Sequence, residues 1–349
     1  MFDRSGGVIL DCQPLAFNYD RRFGVEIEVN ALDGRDFVKH PLHSGELPLG
    51  IDYIGDLLRE NTRKPVIINK WHYTHNNDGW VLKPDSSCGI ELCSPVSKRW
   101  QGLKEICKVI DLLRLTPDIK ADHRCSLHVH VEVADLDLVQ LNKVLTYWVK
   151  CEPVFLDSVP LDRKLNRYCQ SIGETELFNV QQGYDDVWQR LGSNKYLTAN
   201  TYHYVKGRRR TVEFRIIGNE GCKNPYLVKN WVRLLVHFVE MVKNLPSPGR
   251  FRSNDPWSSF CWLDVVDVFQ LLGFDGRFEL SKGLEQTRAW FLANLYTNLS
   301  CNFEGVWGPR GRAVSKRQVD ELVDKLRLDV GKHLSPSDSE TLYSETYRA

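Results

Sequence analysis

The stretch that most constrains this chain is Cys125-Ser126-Leu127-His128-Val129-His130-Val131-Glu132-Val133. It alternates without interruption. Leu127, Val129, Val131 and Val133 fall on one side, and Ser126, His128, His130 and Glu132 on the other. Such period-two alternation predicts a half-buried strand. Two imidazoles and a carboxylate then stand in a row on one face, each step roughly 6.5–7 Å along. An ordinary solvent face would more often carry Lys, Thr and Ser. The question is what neighbouring strands bring to that face.

Three further segments answer it. Arg22 to Asn30 alternates, with Phe23, Val25, Ile27 and Val29 against Gly24, Glu26, Glu28 and Asn30. Ile90 to Pro95 is a short strand carrying Glu91 and closed by its proline. In Thr211 to Ile217, Val212, Phe214 and Ile216 oppose Glu213 and Arg215. Two hairpins are expected. One joins Pro65–Tyr73 to Trp80–Lys83 through Asp78-Gly79, and the other joins Tyr196–Tyr204 to Thr211–Ile217. The segment before residue 50 is rich in Asp, Gly, His and Pro and reads as loop.

Apolar residues at helical spacing predict helices over Ile51–Arg59, Trp100–Leu115, Leu136–Cys151, Leu227–Leu245, Leu263–Leu272, Leu284–Leu299 and Val319–Leu328. Residues 1–20 read as a lead-in and 334–349 as a disordered, Ser- and Thr-rich tail. Strands interleaved with helices, with few β-α-β units, indicate an α+β fold, a mostly antiparallel sheet with helices on one face. The other face would present Glu26, Glu28, Glu91, His128, His130, Glu213 and Arg215, and would avoid lysine.

Composition sets the surroundings. A chain of 349 residues suggests roughly two domains or one large one. A formal net charge of +1 creates no global field toward nucleic acid or membrane. There is no apolar run long enough to span a bilayer and no apolar leader at the N-terminus. The ten cysteines contain no Cys-x-x-Cys pair and read as reduced thiols, which fits a cytoplasmic protein.

Each candidate residue has a plain reading beside a chemical one. Glu26 and Glu28 fit either a hard cation such as Mg²⁺ or a charged edge strand. Glu91 alone is a common solvated glutamate. His128 and His130 are metal ligands, proton carriers or buried structural histidines. Glu213 and Arg215 form a surface pair, or the arginine grips a phosphate. Taken together on one face, they favour an anion-binding, multi-carboxylate metal site. Asp85, Ser86 and Ser87 form an adjacent turn that could hold a polar substrate or serve the turn alone. Arg208, Arg209 and Arg210 are a solvated tip, and they are the only basis for a nucleic-acid partner.

Four segments occur in order: Phe23-Gly24-Val25-Glu26-Ile27-Glu28, Gly89-Ile90-Glu91-Leu92-Cys93-Ser94-Pro95, Leu127-His128-Val129-His130-Val131 and Thr211-Val212-Glu213-Phe214-Arg215. Over roughly residues 20–245 the chain resembles the amidoligase family of the carboxylate–amine ligase superfamily. That resemblance implies a catalytic cup like that of glutamine synthetase and glutamate–cysteine ligase, which binds ATP and Mg²⁺ or Mn²⁺. It implies metal ligation by Glu26, Glu28, Glu91 and Glu213, with His130 preferred over His128 as the imidazole ligand. Glu91, Glu213 and Arg215 would carry catalysis. His128, Arg167, Lys195, Asn200 and Arg215 would contact nucleotide, and Asp85 and Ser87 substrate.

The implied reaction forms an amide through an acyl phosphate, from a small-molecule or peptide carboxylate and an amine. Residues 20–245 would form the catalytic domain and 246–333 a helical extension packed on it. Two departures stand out: Ser126 sits where the family often has glycine, and Asn219 where it often has threonine. The rival readings are a cupin-like metal enzyme, suggested by His128-x-His130, and a non-catalytic metal- or ligand-binding protein.

Overall fold

A computed structural model describes residues 20–31, 37–39, 46–48, 50–69, 78–164, 166–174, 186–245, 263–301 and 315–329. The strands are β1 (Phe23–Ala31), β2 (Phe37–Lys39), β3 (Glu46–Pro48), β4 (Val66–Ile68), β5 (Trp80–Asp85), β6 (Gly89–Cys93), β7 (Ile119–Lys120), β8 (Leu127–Glu132), β9 (Ala199–Asn200) and β10 (Thr211–Ile217). The α-helices are α1 (Ile51–Asn61), α2 (Arg99–Leu115), α3 (Leu138–Asp157), α4 (Leu161–Lys164), α5 (Val187–Leu191), α6 (Tyr202–Val205), α7 (Pro225–Val242), α8 (Val265–Leu271), α9 (Lys282–Cys301) and α10 (Lys316–Leu326).

The chain forms two compact units. The first takes Asp20–Glu132 and Glu213–Val232; the second takes Val133–Val212 and Arg233–Ser337. This differs from the expected boundary near residue 245, because β10 returns to the sheet started by β1. The fold is the expected mixture of helices with a mostly antiparallel sheet.

In the first unit the strand order is β4-β5-β6-β1-β8-β10, and β7 also pairs with β1. β1 lies between β6 and β8, antiparallel to both, with Ile27 opposite Leu92 on one side and Leu127 on the other. Phe23, Val25, Ile27 and Val29 share the buried aliphatic face with Leu92, Leu127, Val129, Val131 and Phe214. α1 packs on β4 and β5, and a 3-10 turn at Asn219–Lys223 packs on β1, β8 and α2. A side chain at Gly221 of that turn would meet Ile217 at 2.5 Å and Leu127 at 3.1 Å, so the close approach needs glycine.

The structure corrects several expectations. β4 pairs with β5 in parallel, Val66 opposite Trp80, so Asp78-Gly79 does not close a hairpin between them. Parallel neighbours need a crossover, and residues 70–77 of that connection lie outside the described set. The segment read as loop before residue 50 contains an antiparallel ladder, β2 with β3, with Val38 opposite Leu47. The strand expected over Tyr196–Tyr204 shrinks to β9, and Tyr202–Val205 turns helical. β8 is buried on both faces, not half-buried: His128 is 2% exposed and His130 4%. Residues 1–19 of the expected lead-in and the tail at 334–349 fall outside the described residues.

The second unit is built around α3. Its start carries a reciprocal cap: the Gln140 N–H donates to Asp137 Oδ1 at 2.7 Å and the Asp137 N–H to Gln140 Oε1 at 3.2 Å. The helix runs past the expected end at Cys151, through Pro153, to Asp157. Packing outweighs the missing N–H: Trp148 stacks on Phe155 at 4.6 Å, and Phe155 meets Phe238 and Phe291. The helices expected beyond residue 245 are present as α8, α9 and α10. α9 packs on α3 and α10, so they form part of this core. Among the described residues, no helix is long and apolar enough to cross a membrane.

Candidate active site

The polar face of the first unit's sheet is a buried, charged cup. Strand register sets it out in rows. Lys83 on β5 lies opposite Glu91 on β6, and Glu91 opposite Glu28 on β1. One row along, Cys93 lies opposite Glu26, and Glu26 opposite His128 on β8. β10 adds Glu213 and Arg215. Glu26, Glu28, Glu91, His128, His130 and Glu213 are all under a tenth exposed. An edge strand carrying solvated charge is therefore the wrong description of Glu26 and Glu28.

The contacts are short. Lys83 Nζ lies 2.6 Å from Glu91 Oε1. Arg215 Nη1 donates to Glu213 Oε1 at 2.6 Å. His130 Nε2 is 3.3 Å from Glu26 Oε1. His128 Nδ1 sits 3.5 Å from Glu213 and 3.6 Å from Glu26. The Ser126 hydroxyl donates to Glu28 Oε2 at 2.8 Å and lies 2.7 Å from His128 Nε2. On the other side of the ring, His128 Nδ1 lies 3.4 Å from Arg215 Nη1. Ser126, a departure from the family pattern, thus joins β8 to the second glutamate of β1.

Burial and charge divide these groups. Burial would raise Glu26, but His130 and Lys83 hold it well below the usual carboxylate range. Burial also opposes the Glu213 charge, yet Arg215 and the histidines bring it down to about 2. Burial, then the Arg215 charge, push His128 down to about 4, so its ring is neutral at neutral pH. Glu91 is raised by burial and by Glu26. Burial opposes the Lys83 ammonium, but Glu91 and Glu26 outweigh it and raise that group.

Burial and the Glu91 charge push Glu28 up to about 8. A carboxyl raised in the folded state keeps a proton that the unfolded chain releases above 4.5. Its stabilisation is complete below 4.5 and is lost as pH rises through about 8. The metal-free protein should therefore lose urea resistance across that window, and Glu28→Gln should flatten the loss. An equally steep decline in the variant would contradict this origin.

Among the described residues, three groups bring potential donor atoms within 4.8 Å of one another: Glu26, His130 and Glu213; Glu26, Glu91 and Cys93; and Glu28, Asp85 and Cys88. Two carboxylates with one imidazole suit a divalent ion in the first group, and His130 rather than His128 belongs to it. The thiols in the other two are poor partners for a hard ion. Asp85 Oδ1 accepts from the backbone N–H of Ser87 at 2.7 Å and of Cys88 at 3.2 Å, as well as from the Ser87 hydroxyl. That is the chemistry of the β5–β6 turn.

The remaining candidates lie in the second unit. Gln170 N–H donates to the Tyr196 carbonyl at 2.7 Å and Thr198 N–H to the Gln170 carbonyl at 2.9 Å, setting the Arg167 and Lys195 segments side by side. The Tyr168 and Tyr196 rings meet edge to face at 5.3 Å. Exposed Arg167 covers the first ring at 4.8 Å and exposed Lys195 the second at 5.1 Å. Asn200 is buried; its amide donates to the Lys195 carbonyl at 3.1 Å and accepts from the Tyr202 N–H at 3.0 Å. It braces the Lys195 turn.

Sequence reasoning missed Lys83 and Cys93. The polar face does contain a lysine, and its signal was the alternation of Lys83 and Asp85 with Leu82 and Pro84 on β5. Glu132, which had no assigned role, accepts from Arg22 Nε at 2.8 Å across the β1–β8 pair. Among the described strands, histidine occurs only at 128 and 130, and the long helices do not fit the barrel of a cupin.

A family model described as "Putative amidoligase enzyme" matches residues 61–239, just over half of the chain. The match takes in Lys83, Glu91, His128, His130, Arg167, Lys195, Asn200, Glu213 and Arg215. No curated protein matches. A solved bifunctional glutathione synthetase from Pasteurella multocida is similar at 11% identity and a TM-score of 0.39, over 94% of this chain and 53% of that one. The chain thus spans about half the length of that structure. By the extent of the family match, this chain belongs to the amidoligase family.

Proposed function

We propose that the chain is an ATP-dependent ligase that joins a carboxylate to an amine through an acyl phosphate. One observation carries the reading: Glu26, His130 and Glu213 converge in a buried cup with Arg215 held against Glu213. These three residues would hold a divalent ion, Mg²⁺ or Mn²⁺, which when bound supplies charge neutralisation at the phosphates. A carboxylate oxygen of the substrate attacks the γ-phosphorus of ATP and ADP leaves. The amine nitrogen then attacks the acyl carbon, phosphate departs, and the nitrogen loses its proton.

The chain's own groups act where charge develops. Arg215 faces the phosphoryl oxygens with fixed positive charge, the preorganised stabilisation that dominates such reactions. Neutral His128 keeps Arg215 and Glu213 in place without competing for the phosphate. Glu91 and Lys83 form the opposite wall. On the second unit, exposed Arg167 and Lys195 would suit a phosphate group. The thiol-bearing groups leave Glu28 as a supporting carboxylate rather than a sole ligand.

The test is ADP release with Mg²⁺ across pairs of carboxylates and amines. Release that depends on both partners, and that falls by ~10²–10³ in Arg215→Ala, is the expected outcome. If no pair stimulates ADP release by the folded wild-type protein, the ligase reading fails.

A further inference from the structure

The cup has two flanking acids, and each already has a cation of its own. Arg215 pairs with Glu213 on β10, and Lys83 pairs with Glu91 across β5 and β6. The two cases differ in what surrounds them. Glu213 belongs to a group of two carboxylates and an imidazole. Glu91 belongs to a group whose third donor is the Cys93 thiol, which itself donates to Glu91 Oε1 at 3.2 Å. Hard divalent ions select oxygen, so an ion at Glu91 would rest on the Glu91 and Glu26 carboxylates, with the thiol adding little.

Lys83 is placed by the fold rather than by a flexible surface chain. Its strand register sets it directly opposite Glu91, and its side chain is 13% exposed. Its neighbour one pair along, Val81, is buried opposite Cys93. The ammonium is therefore fixed at the edge of the cup, 2.6 Å from Glu91 Oε1. A divalent ion sharing that carboxylate would have to approach a fixed positive charge where water screens little.

We propose that Lys83 is a built-in cation that stands in for a metal ion at Glu91, so that before nucleotide binds the cup takes a single divalent ion, on Glu26, His130 and Glu213. This rests on the reading of the cup as a metal-dependent ligase site. It adds that the charge neutralising Glu91 is supplied by Lys83 rather than by a metal ion. It also assigns Cys93 to packing and hydrogen bonding rather than to metal ligation.

The experiment counts bound Mn²⁺ by the loss of its free-ion electron paramagnetic resonance signal. It uses nucleotide-free wild type, Lys83→Met and Lys83→Arg, with thermal melts to establish that each is folded. One ion per chain in the wild type and in Lys83→Arg, rising to two in Lys83→Met, is the expected result. Two ions in the wild type overturn the lysine assignment, whatever the variants do, and leave the ligase reading standing. One ion in a folded Lys83→Met also overturns it. No ion in any of the three overturns the lysine assignment and the metal reading of the cup together.

Discussion

Replacing Arg215 with alanine lowers amine-dependent ADP release by ~10²–10³, the loss expected when a preorganised charge is removed from a developing oxyanion. The geometry explains why no neighbour takes over. His128 is 2% exposed, and burial, the larger of the two causes that lower it, still opposes a charge on its ring once Arg215 is gone. Lys83 is engaged by Glu91 on the other side of β1. The variant also loses stability, because Glu213 keeps its buried carboxylate without its closest cation. Arg215→Lys separates the two effects. It keeps the charge and so restores most of the melting temperature. It lacks the planar fork and so restores only part of the rate. Steady-state ADP release and thermal melts on the three proteins decide the matter, and undiminished turnover in Arg215→Ala would sink the assignment.

The largest stability effect is expected away from the cup, at Glu152. This α3 carboxylate is 1% exposed. It accepts from the Ser171 hydroxyl at 2.8 Å, the Ile172 N–H at 2.9 Å, the Gly173 N–H at 3.1 Å and the Thr198 hydroxyl. Burial raises its proton affinity against all four bonds. Glu152→Ala strands four donors inside the second unit and costs about 3–5 kcal/mol, since each buried unsatisfied donor costs about 1–3 kcal/mol and the effects are not additive. Glu152→Gln keeps one oxygen acceptor but turns an NH₂ group toward N–H donors, so it costs less than alanine. Urea midpoints measure both. The same change should speed amide exchange at residues 170–173 and 197–198, which carry the Arg167 and Lys195 turns. Equal stability of Glu152→Ala and wild type would show that these bonds are replaced by water.

The contrast between these two residues shows what a sequence can disclose. Arg215 was legible because its strand alternates and its partners recur at matching positions on other strands. Glu152 was not, because a single glutamate in an apolar helix gives no local sign of four donors arriving from residues 171–198. The strands of the cup follow period two, and β1, β6, β8 and β10 lie within a residue or two of expectation. Their order follows from the fold and not from any one segment. The parallel pairing of β4 with β5 was hidden because a turn dipeptide signals a bend without saying which strand it serves. Lys83 was hidden for a related reason: lysine on a strand reads as solvent-facing until a glutamate is seen opposite it. The interleaving of the two units is likewise a matter of where β10 inserts, which periodicity does not encode.

β8 carries one more consequence. Its aliphatic side and its charged side are both buried, and β1 opposite it is divided in the same way. Sliding β8 past β1 by a single residue would drive His128 and His130 into the aliphatic core and lift its valines into the cup, and sliding β1 would do the same with Glu26 and Glu28. The residues that crowd the cup with charge therefore also act as a key for strand alignment. Stripping that face of its charges would remove the penalty that makes one pairing of β1 with β8 the only acceptable one, so the reactive face is also part of the instructions for assembling the sheet.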